Sequence, residues 1–183
     1  MWGCTGSNVV HFTLLHEYLA HYLELPLGKY FQISDCMHVY TEFPVYTKAA
    51  PGILDGSRKI RTDYVDGLVT TSPMFMGDAS KEDFDADVKF LLDSHAGVVE
   101  INSKVGLPEL EDEKYRTDFF RKVVLPMMRS WKIWKETKNP AEAMAPLQGL
   151  VVDNPQPYDW HLAGYEWLQR RAENQAKKGA ASE

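Results

Sequence analysis

The stretch Ser7-Asn8-Val9-Val10-His11-Phe12-Thr13-Leu14-Leu15-His16-Glu17-Tyr18-Leu19-Ala20-His21-Tyr22-Leu23 places Phe12, Leu15, Leu19, Tyr22 and Leu23 at helical spacing, with His11, Glu17, His21 and Glu24 largely between them. The pattern predicts a helix from Val9 to Leu23 with one buried face. Ser7 or Asn8 suits its cap, since a short polar side chain there accepts a hydrogen bond from a free amide of the first turn. Pro26 and Gly28 predict its end. Gly28 to Ser34 and Met37 to Thr41 are rich in aromatic and β-branched residues, which predicts two strands. Alternation along the second strand puts His38 and Tyr40 on one face. Two polar rings so placed can grip one hydroxyl or one sugar.

Asn8 at a helix start, followed thirty positions later by His38-Val39-Tyr40, resembles the nucleoside-binding half of thymidylate synthases and of their phage-type relatives, the deoxypyrimidine hydroxymethylases. The spacing is demanding, because a helix, a turn at Gly28 and two strand segments must fit between its ends. The resemblance covers Trp2 to Phe43, about a quarter of the chain. It implies an α/β (α+β) fold, a mixed sheet seen only in part, extended by a mainly helical carboxyl half. It also implies that His38 and Tyr40 hold the 3′-hydroxyl of a deoxyribose while the Asn8 amide reads the base. A carboxamide offers one acceptor and two donors, so it accepts from N3–H and donates to O4 of uracil or thymine. Relatives acting on cytosine tend to carry aspartate at this place. The implied ligand is a pyrimidine deoxynucleoside monophosphate, the implied one-carbon donor is 5,10-methylenetetrahydrofolate, and the implied assembly is a homodimer.

The resemblance also sets a limit. In the family a cysteine thiolate adds to C6 of the pyrimidine, making C5 nucleophilic toward the one-carbon unit. That cysteine, the phosphate-gripping arginine and serine, and an aspartate that orders folate and base all precede the asparagine. Cys4 lies too close to Asn8 to match, and no histidine follows it. The expectation is therefore a chain that starts inside the family's domain, as from a late, split or truncated reading frame, with its catalytic residues unknown. A non-catalytic nucleotide-binding or subunit-pairing module is an alternative. So is an interaction protein in which Trp131, Trp134, Trp160 and Trp167 serve association. The residues do not decide between methyl and hydroxymethyl transfer.

Composition sets outer bounds. With 183 residues, 44% hydrophobic, the chain can bury one core, and a single domain over residues 1–176 with a disordered tail over 177–183 is expected. A net charge of −6, with basic residues scattered along the sequence, argues against a nucleic-acid polymer as partner. Two cysteines, Cys4 and Cys36, and no signal-like start suggest a reducing cytoplasm. No apolar run is long enough for a membrane helix. No metal is expected: His16-Glu17-Tyr18-Leu19-Ala20-His21 imitates a zinc-protease motif, but its histidines are five positions apart instead of four and so face different ways.

Farther on, Phe43 to Gly77 is broken by prolines and glycines and reads as a long irregular connection, with a short β-type run at Gly67 to Thr71. Lys81 to His95 predicts a helix with Phe84, Val88, Leu91 and Leu92 inside and Glu82, Asp83, Asp85 and Asp87 on a solvated acidic side. Tyr115, Phe119, Val123, Met127, Trp131 and Trp134 predict a core-facing helix from Glu111 to Thr137, bent at Pro126. Asn139-Pro140 opens a short helix through Leu147, and Asp159 caps a last one.

Overall fold

A computed structural model describes residues 8–31, 51–52, 54–55, 63–96 and 110–180. The chain divides into two compact units, residues 1–62 and 63–183.

In the first unit, α1 spans Asn8–Tyr22, as the spacing predicts. It stops before Pro26 for a local reason. Glu24 adopts a left-handed conformation (φ 57), so that the Glu24 amide donates to the His21 carbonyl and the Leu25 amide to Ala20, closing the last turn on itself. The expected buried face is not found. Phe12 and Leu15 keep 54% and 49% of their surface exposed, and Leu19, Tyr22 and Leu23 are exposed as well. Spacing fixes which side chains share a face, whereas burial needs a surface to cover them.

In the second unit, α2 spans Lys81–Ala96. Phe84 is buried and meets Phe75 (4.7 Å between ring centroids) and Phe120 (5.6 Å). Tyr115 stacks on Phe120 at 5.5 Å. These rings join α2 to the segment that leads into the next helix. That segment is not helical from Glu111 as expected. A 3-10 turn at Asp112–Lys114 comes first, then the extended Tyr115 and a π-helical turn at Phe120–Val124 that runs into α3, Leu125–Thr137. The wide turn lies just ahead of Pro126, which has no amide to return to the Lys122 carbonyl, and π turns absorb such breaks in the ladder.

Helix α4 spans Pro140–Val151 and α5 spans Asp159–Ala180. Asn139 caps α4, its side chain accepting from the Ala141 amide at 3.0 Å, with Pro140 in the first turn. α4 packs against both α3 and α5. Leu125, Ala143, Leu147 and Leu168 are buried between them, Ser130 donates to the Ala143 carbonyl at 2.7 Å, and Tyr165 donates to Gln148 at 3.0 Å.

The α/β expectation, with its partial mixed sheet, is overturned. Among the described residues the elements are helical, and extended pairing is limited to one parallel bridge between Thr70 and Tyr158. Gly28 to Phe31 forms no strand, and the expected strand at Met37 to Thr41 lies outside the described residues. The run at Gly67 to Thr71 stops at a single rung. The Thr70 amide donates to Pro157 and its carbonyl accepts from Asp159 (2.9 Å each), but Pro157 has no amide to extend a ladder and Asp159 already begins a helix. β-Propensity describes a fit to a pleated neighbour, and among the described residues the run meets only Tyr158.

Candidate functional site

Asn8 is the first residue of α1. Its side chain, and His38 and Tyr40 altogether, lie outside the described residues. Among the described residues no group of three or more His, Cys, Asp or Glu is placed to hold a metal ion, and no helix is long and apolar enough to cross a membrane.

The second unit contains a cleft of about 210 Å³ lined by Gly77, Asp78, Asp83, Arg116, Asp118 and Arg121 among others. Sequence spacing explains one wall. Ser80 and Asp83 cap α2 reciprocally, the Asp83 amide donating to the Ser80 hydroxyl at 3.0 Å and that hydroxyl donating to the Asp83 carboxylate at 2.8 Å. Arg116 then donates to Asp83 at 3.1 Å, while Arg121 and Lys122 donate to Asp118 at 2.8 and 2.7 Å. The Ser80 bond first, then Arg116, holds the Asp83 carboxyl below its usual range; Lys122 first, then Arg121, does the same for Asp118. Both groups are committed anions, unsuited to exchanging protons near neutral pH. With both guanidiniums bound to carboxylates, the cleft offers no ready receptor for a phosphate.

Asp87 positions the other wall, and here the sequence reading is corrected. Expected on a solvated side, Asp87 is 1% exposed. Its carboxylate accepts from the Arg116 amide (2.9 Å), the Thr117 amide (2.8 Å) and the Thr117 hydroxyl (2.8 Å), which fixes the approach of the chain to α3. The signal was present in the spacing: Asp87 lies three residues after Phe84 and four before Leu91, on the buried face itself.

A second polar cluster holds the start of α5. Asp159 accepts from the Tyr64 hydroxyl (2.9 Å), the Ser72 hydroxyl (2.7 Å) and the Trp160 amide (2.9 Å). Partial burial of the phenol, then its bond to Asp159, pushes Tyr64 up to about 12. Two positions on, His161 is buried, and its Nε2 has no hydrogen-bond partner among the described residues. Burial pushes its imidazole below the usual histidine range, opposed by the backbone carbonyls of Val123 and Lys122 that it faces. One of these is the carbonyl that Pro126 cannot serve. Nothing in the local sequence around His161 signals this pairing across the fold.

Comparison with known proteins then bears on the whole chain. A deoxyuridylate hydroxymethyltransferase of Pseudomonas phage M6 is 34% identical over 187 aligned positions, which cover 99% of this chain and 47% of that protein. The chain is a relative of the phage deoxyuridylate hydroxymethyltransferases. A protein of the same name from Bacillus phage SP01 is 39% identical over 41 positions, 22% of this chain and 11% of its own length. The chain thus spans about half the length of the longer-matched relative. No protein-family model matches it, and no solved structure matches it. The phage-type deoxypyrimidine hydroxymethylase resemblance expected from the sequence agrees with these relatives.

Proposed function

We propose that the chain forms part of a thymidylate synthase-like protein that transfers a hydroxymethyl unit to C5 of deoxyuridylate, and that this part binds the nucleoside. The observation that carries the reading is the 34% identity to a deoxyuridylate hydroxymethyltransferase across 99% of the chain. Asn8 reads the uracil edge, accepting from N3–H and donating to O4. His38 and Tyr40 hold the 3′-hydroxyl. The one-carbon unit comes from 5,10-methylenetetrahydrofolate as co-substrate, and the working protein is a soluble cytoplasmic homodimer.

The cleft beside Arg116 and Arg121 does not fit the folate. Its volume of about 210 Å³ is below the roughly 300 to 1,000 Å³ usual for pockets that enclose ligands of such size, and its lining is charged.

The test is calorimetric titration with deoxyuridylate and with its 3′-deoxy analogue. Losing one hydrogen bond to a neutral hydroxyl costs about 0.5 to 1.5 kcal/mol, roughly three- to tenfold in affinity. His38→Ala combined with Tyr40→Phe is expected to weaken deoxyuridylate and nearly erase its advantage over the analogue, with thermal stability close to the parent's. Unchanged discrimination in the double variant would remove the sugar-binding role from this pair.

A further inference from the structure

We propose that the joint face of α3 and α5 binds single-stranded nucleic acid, independently of the nucleoside reading above. Three indoles from two helices meet there: Trp131 and Trp134 of α3 lie 6.1 and 5.5 Å from Trp167 of α5. Three cations lie over them. The Arg171 guanidinium sits 3.8 Å from the Trp167 centroid and 5.0 Å from that of Trp134, Lys135 lies 5.6 Å over Trp131, and Lys138 lies 5.6 Å over Trp134.

The charge state of these cations separates the face from the rest of the unit. Arg116 pairs with Asp83, Arg121 and Lys122 with Asp118, Arg129 with Asp112, and Arg170 with Glu166. Lys135, Lys138 and Arg171 pair with no carboxylate among the described residues. Lys135 and Lys138 stand three residues apart, and the fold brings Arg171 from the other helix beside them, which gathers three cations on an acidic chain of net charge −6. That charge opposes coating of the whole surface by a polyanion; it does not oppose a strand laid along one positive face.

A partner for this face must be anionic and must present flat apolar surface. Single strands do both, since each base offers a π-face for stacking and each phosphate a charge. Trp131 is 46% exposed and leaves ring surface for a base. Holding the cations over the rings restricts their rotamers before a strand arrives, which lowers the ordering cost of phosphate contact. A duplex, whose bases are already stacked, satisfies only the charge half of this description.

The full chain is titrated with an oligothymidylate of about 12 nucleotides, within the site sizes usual for single-strand binders, and tryptophan fluorescence is read. Quenching that saturates is expected. Three phosphate contacts give a salt slope of about −2, so raising salt from about 50 to about 200 mM weakens binding roughly 20-fold. Lys135→Gln with Arg171→Gln, which removes two of the three charges together with the Arg171 contact on Trp134 and Trp167, is expected to cut the slope to about −0.7 with the far-ultraviolet circular dichroism of the parent. Trp131→Ala is expected to weaken binding at least about fivefold while keeping the salt slope. Absence of quenching at the lower salt overturns the proposal. So does undiminished binding by the Lys135/Arg171 variant, or competition in which polyglutamate displaces the strand as well as a second oligothymidylate does, since an acidic polypeptide would then be the partner.

Discussion

Replacing Asp87 tests whether one buried carboxylate holds α2 to the entry of α3. The group is 1% exposed and accepts three hydrogen bonds, from the amides of Arg116 and Thr117 and from the Thr117 hydroxyl. Bonds to a charged group contribute about 1.5 to 3 kcal/mol each. The three share a single carboxylate and its desolvation cost, so they do not add in full. In Asp87→Ala, two amides and a hydroxyl lose their acceptor, each at about 1 to 3 kcal/mol if left dry, and water entering the vacated volume recovers part of that. The expected loss is about 3 to 5 kcal/mol, large against the roughly 5 to 15 kcal/mol by which domains are stable. Asp87→Asn keeps one oxygen acceptor and should lose about 1 to 2 kcal/mol. Urea unfolding followed by tryptophan fluorescence reports this unit through Trp131, Trp134, Trp160 and Trp167. With a slope of about 1 to 3 kcal/mol per molar, the alanine variant should shift its midpoint by 1 M or more. A loss below about 1 kcal/mol with unchanged slope would refute the clamp.

Three further outcomes follow from the same unit. Because burial depresses the His161 pKa below its ordinary value of 6.5, the unfolded chain takes up a proton before the folded one. Its contribution is complete above about pH 6.5 and is lost as pH falls through the lower folded value; urea midpoints at about pH 7.5 and 5.5 should diverge less in His161→Phe than in the parent. At Gly164 an added Cβ would lie 2.7 Å from Met127 Cε, 2.9 Å from Met127 Sδ and 3.4 Å from Leu147 Cδ1. The methionine tip can swing away and alanine favours a helix over glycine by about 1 kcal/mol, so Gly164→Ala should stay within about 1 kcal/mol of the parent, whereas Gly164→Val, branched toward Leu147, should lose more than about 2 kcal/mol by thermal unfolding. Asn139→Ala removes the α4 cap, which bonds both the Ala141 amide and Glu142, and should cost about 1 kcal/mol.

The helices were the legible part of the fold. Periodicity located α1 and α2 to within a residue or two, because a 3.6-residue repeat survives in any helix with unlike faces. It failed at Glu111, where Tyr115 belongs to the apolar stripe yet is extended, held in place by ring stacking and by the neighbouring bonds to Asp87. The Asp87 bonds cross about thirty residues of sequence and leave no local period. The strand reading at Gly67 to Thr71 failed because composition measured suitability for a sheet and not the presence of a partner. Asp87 was readable from its spacing but was assigned to solvent by its charge alone. The three nucleoside candidates were visible through the spacing of Asn8 to His38 and Tyr40, a signal of resemblance rather than of periodicity. The basic face of α3 and α5 was hidden, since Lys135, Lys138 and Arg171 converge only once the two helices pack.

Base preference tests the central claim most directly. Titrated side by side with deoxyuridylate and deoxycytidylate, the parent is expected to bind deoxyuridylate more tightly, because the Asn8 carboxamide matches N3–H and O4 of uracil and meets a bare N3 and an amino group on cytosine. Asn8→Asp is expected to move the preference toward deoxycytidylate, since a carboxylate accepts from the cytosine amino group. Equal affinity for the two nucleotides before and after the substitution, or no binding of either by the parent, would contradict the assignment of this chain to deoxyuridylate recognition.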